Sequence, residues 1–209
     1  MGDVHGCAER LAALHRQIAA DLAARPASAL LIHLGDYVDK GADSAGVLQL
    51  LADGPAVPGA EVVNLGGNHE ESMRLALAGE PGDVADWLWC GGRPTLASYG
   101  LSPDASPAAW RAGIPAAHLR VLGSVGRSHR EGGYLFVHAG VRPGVPIGQQ
   151  SADDLIRIRQ PFLSSAADHG AVVVHGHTAR AEPEVHANRI NLDTAAWSGG
   201  PLSCAVLED

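Results

Sequence analysis

Gly35-Asp36-Tyr37-Val38-Asp39-Lys40-Gly41 follows directly on Ala29-Leu30-Leu31-Ile32-His33-Leu34. The leading run is apolar, aliphatic and of strand length, so it predicts a β-strand. The stretch after it sets two carboxylates and a cation in a glycine-bounded turn at that strand's C-terminal edge. Open α/β sheets carry their chemistry at that edge, and a turn so charged asks for something bound to it.

The arrangement recurs along the chain. Glu61-Val62-Val63-Asn64-Leu65 leads into Gly66-Gly67-Asn68-His69-Glu70, Gly133-Tyr134-Leu135-Phe136-Val137 into His138-Ala139-Gly140, and Ala171-Val172-Val173-Val174 into His175-Gly176-His177-Thr178. Each time a short apolar strand ends on Asp, Asn or His, with glycine beside it to admit backbone and ligand at close range. Gly2-Asp3-Val4-His5-Gly6 is a fifth instance with no strand before it. The chain therefore begins where a first strand should just have ended, and the expectation is that this strand is missing or truncated upstream of Met1.

Between these motifs lie helical signals. Leu11, Leu14, Ile18 and Leu22 recur at helical spacing between Cys7 and Arg25, with Pro26 as the stop. Asp43 to Asp53 reads as a second helix ended by Gly54-Pro55, and Glu70 to Ala78 as a third. Strand and helix alternate, as in an α/β protein, and residues 1–209 contain no linker that would divide them, so one domain is expected. The stretch holding Trp87, Trp89, Arg93 and Trp110 reads as helical packing around indoles, with a cap over the pocket, where Arg93 or an indole would touch substrate, as the alternative. Arg157 and Arg159 stand at alternate positions and share a face if that segment is extended. Val185 to Asp193 and Leu202 to Leu207 are expected to close the fold as a hairpin. His33 is read as a core residue, and His118, His129, His169 and His186 as surface residues.

Composition narrows the function. A net charge of −8 with a single lysine excludes broad binding to nucleic acid or to anionic membrane, both of which need basic patches. Cys7, Cys90 and Cys204 are too few and too far apart for a disulfide framework or a zinc knuckle, which points to a reducing, cytoplasmic setting. No apolar run approaches the roughly 20 residues that span a bilayer. Asp, Asn and His donors without thiolate suit Mn, Fe, Zn or Ni. They outnumber what one ion takes, so two divalent ions are expected, with a carboxylate such as Asp36 shared between them. Such a pair activates water for in-line attack on a phosphoryl group.

Singly these motifs are weak; in this order the five of them closely resemble the phosphoprotein phosphatase family of metallophosphoesterases, in its compact bacterial and phage members. The resemblance runs through nearly the whole chain, to Ile190-Asn191-Leu192-Asp193-Thr194. It implies a calcineurin-like α/β fold: two packed mixed β-sheets flanked by helices, a four-layer αββα sandwich. It also implies one metal held by Asp3, His5 and Asp36 and a second by Asp36, Asn68, His138 and His177, with Mn the first choice. His69 matches the general acid, Asp39 the carboxylate that keeps it protonated, and Lys40 and Arg159 the substrate-phosphate contacts. Three positions depart from the pattern. Lys40 replaces the usual Arg and gives up the planar bidentate contact, Arg157 stands where an aromatic residue is common, and Ala195 replaces a glycine.

The implied activity is that of a phosphomonoesterase, a metal-dependent serine/threonine protein phosphatase acting on phosphoproteins or small phosphoesters. A symmetrical bis(5'-nucleosyl)-tetraphosphatase, which cleaves diadenosine tetraphosphate, shares the scaffold; Glu70 and Thr178 favour the phosphatase. A catalytically idle, metal-bearing binding module is the reading from another class.

Overall fold

The computed structural model describes residues 1–25, 28–54 and 57–207; the expected helix stops at Pro26 and Pro55 lie outside these residues. Helix α1 (Ala8–Ala24) leads to β1 (Ala29–His33), α2 (Ser44–Ala52), β2 (Ala60–Asn64) and α3 (Asn68–Ala78). These match the sequence reading to within two residues. Asp43 caps α2, its Oδ1 accepting the Gly46 N–H at 2.8 Å.

Four short helices follow: α4 (Pro81–Trp87), α5 (Arg93–Ser98), α6 (Pro107–Gly113) and α7 (Ala116–Ser124). Trp87 and Trp110 pack edge to face at 5.8 Å inside this layer, whereas Trp89 is 90% exposed. His118, expected at the surface, is buried between the Tyr99 hydroxyl (2.8 Å) and Gln49 Oε1 (3.0 Å). His33 is a satisfied core residue, held by Asn64 Oδ1 at 2.7 Å and His15 Nε2 at 2.9 Å.

The remaining elements are β3 (Ser128–Glu131), β4 (Tyr134–Val137), α8 (Ala152–Arg157), β5 (Val172–His175), β6 (Glu184–Val185) and β7 (Arg189–Asn191). β1 and β2 form a parallel pair; the second sheet has the order β3-β4-β5-β7-β6, parallel at its centre and antiparallel at both edges.

Strand alternation builds the layers. Leu31 on β1 faces the core shared with α1, α2, α3 and the four short helices, while Ile32 faces Phe136, Val174 and Leu192 of the other sheet. On that sheet Leu135, Val137 and Val173 turn the other way, onto Leu155, Ile156 and Phe162. Helices, sheet, sheet and helix thus lie in sequence. Strands buried on both faces must be apolar throughout, which is why the runs read as continuous rather than alternating.

Two further expectations are corrected. Ser151 caps a helix, α8, that ends at Arg157, so Arg157 and Arg159 do not share an extended segment. The closing hairpin is instead β6–β7, pairing Glu184 with Asn191, and residues 202–207 belong to no strand.

Candidate metal and phosphoester site

The parallel strands all point the same way, so the loops after β1, β2, β4, β5 and β7 meet at one edge, and they deliver Asp36, Asn68, His138, His177 and Asp193 there. The backbone is bent sharply to do it. His5, Asp36, Asp39, Lys40 and His177 all have φ between 43° and 72°, the left-handed region that non-glycine residues avoid. Each costs of order 1–3 kcal/mol, a strain typical of sites held by the structure around them. Two glycines permit close approach to site carboxylates: a Cβ on Gly67 would collide with Asp36 Oδ1, and one on Gly176 with Asp3 Oδ1.

Asp36 lies at the centre. Its Oδ2 is 3.4 Å from His5 Nε2 and 3.9 Å from His69 Nε2, and its Oδ1 is 3.4 Å from His138 Nε2. His5 donates Nδ1–H to the Val38 carbonyl at 2.8 Å and His138 to that of Leu34 at 2.9 Å, so both turn Nε2 into the site. Asn68 Oδ1 is 3.2 Å from His138 Nε2. His177 Nε2 is buried without a hydrogen-bond partner, an orphan that a cation would satisfy. His5, Asp36 and His69 offer donor atoms within 4.8 Å of one another, and so do Asp36, His138 and His177. Asp3 is in neither group; its carboxylate accepts the His177 N–H at 3.0 Å. Oxygen and imidazole donors in this density fit divalent cations.

Electrostatics show how strongly the site wants positive charge. Burial alone would raise the Asp36 carboxyl, but His138, His69 and His5 hold it well below the carboxylate range. Burial pulls His138 down, yet Asp36 and Asp3 outweigh it and lift it to about 9. Asp3, by contrast, is raised by burial and by the neighbouring carboxylates. His5 and His177 are pushed by burial to about 3, keeping their imidazoles neutral and available as ligands.

His69 and Asp39 form a second unit. His69 opens the first turn of α3 and its Nδ1 meets Asp39 Oδ2 at 2.8 Å, leaving Nε2 facing Asp36. Burial works against the imidazolium, but the Asp36 charge and the Asp39 hydrogen bond prevail and raise its pKa. Asp39 is fully buried and is itself held by Thr95 Oγ1 at 2.7 Å and Trp87 Nε1 at 3.1 Å.

The cationic side chains sit at the rim. Lys40 donates to His5 Nε2 at 2.8 Å, its ammonium occupying the direction in which that imidazole offers its lone pair, and lies 5.6 Å from the centroid of the half-exposed Trp197. Arg159 Nη2 reaches the His177 carbonyl at 3.5 Å, whereas Arg157 pairs with Asp153 at 3.1 Å on its own helix.

Sequence reasoning missed several supporting residues. Glu70 is buried and accepts four backbone N–H bonds, from Tyr37 and Val38 on Oε1 and from Asp36 and Gly67 on Oε2. Its carboxylate accepts the N–H of Gly67, the residue before α3, which is the glutamate half of a capping box; with glycine in place of Ser or Thr the sequence signal is incomplete. Trp87 and Thr95, which hold Asp39, come from the short-helix layer about fifty residues away in sequence, and no local pattern marks them.

Comparison with known proteins agrees with this geometry. A family model described as calcineurin-like phosphoesterase matches residues 1–201. A serine/threonine-protein phosphatase 1 from Salmonella typhimurium is 26% identical over 215 residues, spanning all of this chain and 90% of that protein. Among solved structures, a cold-active protein-tyrosine phosphatase of a psychrophilic Shewanella species superposes on 96% of this chain and 72% of its own, with a TM-score of 0.63 and 16% identity. A protein serine/threonine phosphatase from Saccharomyces cerevisiae, with similarity to human PP5, superposes on 93% of this chain and 65% of its own, with a TM-score of 0.53 and 13% identity. At such identities the two structures speak for the fold alone.

Proposed function

The chain belongs to the calcineurin-like phosphoesterase family, and from that premise we propose that it is a metal-dependent phosphomonoesterase acting on phosphoserine or phosphothreonine in proteins. The observation that carries the reading is the orientation of His69: Asp39 fixes its Nδ1 and favours its protonated form, and its Nε2 faces the cluster around Asp36. A protonated imidazole so placed can hand its proton to a departing alkoxide.

Asp3, His5 and Asp36 would hold one divalent ion, and Asp36, Asn68, His138 and His177 the other. Manganese is the first candidate, with Fe, Zn and Ni behind it, since the donors include no thiolate. When bound, such ions supply Lewis-acid activation of water and charge neutralisation of the phosphoryl oxygens. Lys40 and Arg159 stand at the rim to take the substrate phosphate; for Lys40 that requires release from His5. The name of the Salmonella protein supports serine/threonine specificity. The three cysteines, all free, fit a reducing cytoplasm, and among the described residues no helix is long and apolar enough to cross a membrane.

The test is phosphate release from p-nitrophenyl phosphate and a phosphothreonine peptide by metal-stripped protein, with Mn²⁺ restored, beside His69→Asn and with diadenosine tetraphosphate as comparison substrate. Turnover that needs metal and falls about 10²–10⁴-fold in His69→Asn is expected. Preference for the dinucleotide would reassign the substrate, and metal binding without turnover of any of the three would sink the enzyme reading.

A further inference from the structure

Lys40 stands beside an indole that no step of the reaction uses. Trp197 is 46% exposed, and the Lys40 ammonium lies 5.6 Å from the centroid of its ring, inside the distance at which a cation is drawn to an aromatic face. The loop beneath the indole is bonded to itself. Asp193 Oδ1 accepts the Ala195 N–H at 3.0 Å, the Gly200 N–H returns to the Ala195 carbonyl at 3.2 Å, and Thr194 Oγ1 donates to the Pro201 carbonyl at 2.7 Å. Ala195 and Gly199, at φ 54° and 108°, bracket the short turn Ala196–Ser198 that carries Trp197. The ring is thus presented on a closed loop, although nearly half of it faces water.

Lys40 is fixed at its base. Its φ is 65°, its N–H is bonded to the Gly91 carbonyl at 3.1 Å, and its Cγ passes so close over Gly91 that a Cβ there would stand 3.1 Å away. Only the outer part of the stem is free to turn, and its ammonium meets two groups of different kinds. One is the lone pair of His5 Nε2 at 2.8 Å. His5 has no second lone pair to offer, because Nδ1–H is committed to the Val38 carbonyl. The other is the Trp197 face, which attracts a cation yet presents no lone pair that a metal could take.

A divalent ion held by His5 needs the lone pair that Lys40 occupies, since a ligating imidazole must be neutral and unshared. The ammonium and the ion therefore exclude each other at His5, whereas the indole serves only the ammonium.

We propose that Trp197 is the positioning residue of Lys40: its ring face is where the ammonium rests once a divalent ion has taken His5, and from that face Lys40 meets the substrate phosphate at the rim. The second half rests on the phosphoesterase reading; the exchange between His5 and Trp197 does not. Lys40 opposes the ion at His5, and Trp197 offsets that opposition by receiving the displaced charge. The residue that departs from the family pattern is thereby matched to a neighbour that suits a compact ammonium.

Lys40 is the single lysine of the chain, so ¹³C-lysine labelling gives one side-chain signal. On adding Zn²⁺, a closed-shell ion, to metal-stripped protein, the Lys40 ε-methylene protons should move upfield, because an indole ring current shields what lies over its face. Bound Zn²⁺ with no upfield movement overturns the proposal, and so does a failure to bind Zn²⁺ at all. A double-mutant cycle of Trp197→Leu with Lys40→Met adds the energetics. Trp197→Leu should weaken Mn²⁺ binding, read by calorimetry, about 3- to 10-fold, and raise KM for p-nitrophenyl phosphate by a similar factor with kcat little changed. Trp197→Phe, which keeps an aromatic face, should recover most of both. In the Lys40→Met background Trp197→Leu should change neither; a KM effect that persists there in full means that the indole touches the substrate itself, and overturns the proposal. If Mn²⁺ binds and the ε-methylene signal moves while no phosphoester is turned over, the phosphoesterase reading fails and the exchange between His5 and Trp197 stands.

Discussion

Asp39→Asn keeps the shape of the side chain that holds His69 and removes its charge. The imidazole and carboxylate meet at 2.8 Å with both side chains nearly or fully buried, so solvent screens the pair little. For charge centres about 4 Å apart at an effective dielectric near 20, the attraction is about 4 kcal/mol. A neutral amide retains part of it through hydrogen bonding, and a loss of about 2–4 kcal/mol in the transition state corresponds to roughly 30- to 1000-fold in kcat. The asparagine also fits its surroundings badly. Thr95 and Trp87 donate toward one carboxylate oxygen, and His69 and Trp87 toward the other, so the new NH₂ meets a donor whichever way it turns. His69 must be protonated to act as the acid, and in the parent protein its pKa is raised. Removing the Asp39 charge lowers it, so the limb on which kcat falls with rising pH moves to lower pH. The assay is the pH profile of kcat for an alkyl phosphate beside p-nitrophenyl phosphate, whose leaving group needs little protonation. The loss should be much larger for the alkyl ester. An unmoved alkaline limb, or equal losses on both esters, would refute the role assigned to the pair.

Asp36→Asn removes the one charge that three imidazoles share, and elemental analysis should show metal content falling at both positions; full occupancy would count against a shared ligand. Ala195 adopts φ 54° and ψ 48°, so Ala195→Gly relieves a left-handed penalty of about 1–2 kcal/mol at an entropic cost of about 0.4–1, and calorimetry should record a Tm higher by about 1–4 °C. Glu71 is held at about 2, below its ordinary 4.5, first by the Arg74 hydrogen bond and then, against some burial, by Arg127. Because the folded-state value is depressed, this contribution to stability is complete above about 4.5 and disappears as pH falls toward 2. Arg74→Ala should therefore flatten the dependence of the urea midpoint on pH across that window, and an unchanged slope would mean the pair contributes nothing.

The strand-to-ligand motifs were legible because they are local: an apolar run, a glycine and a donor lie within ten residues, and β1, β2, β4 and β5 form where those runs predict. What could not be read arises from contacts between distant segments. Trp87 and Thr95 support Asp39 from a helical layer whose periodicity speaks only of burial. Arg157 and Arg159 look equivalent by spacing until the Ser151 cap places one inside a helix and leaves the other beyond its end. The run Leu202–Leu207 has a strand's composition, but a strand exists only when paired, and composition carries no information about whether a partner is present. His118 looked like a surface residue because its two partners, Tyr99 and Gln49, are not its sequence neighbours.

Glu70 has a mechanical consequence. One carboxylate grips N–H groups from the loop after β1 and from the turn that opens α3, so neither segment can swing out without freeing the other. Asp36, Asp39 and Lys40 ride on the first segment, and Asn68 and His69 on the second. Loss of that grip would therefore disturb the acid, its carboxylate and the shared ligand together rather than one at a time.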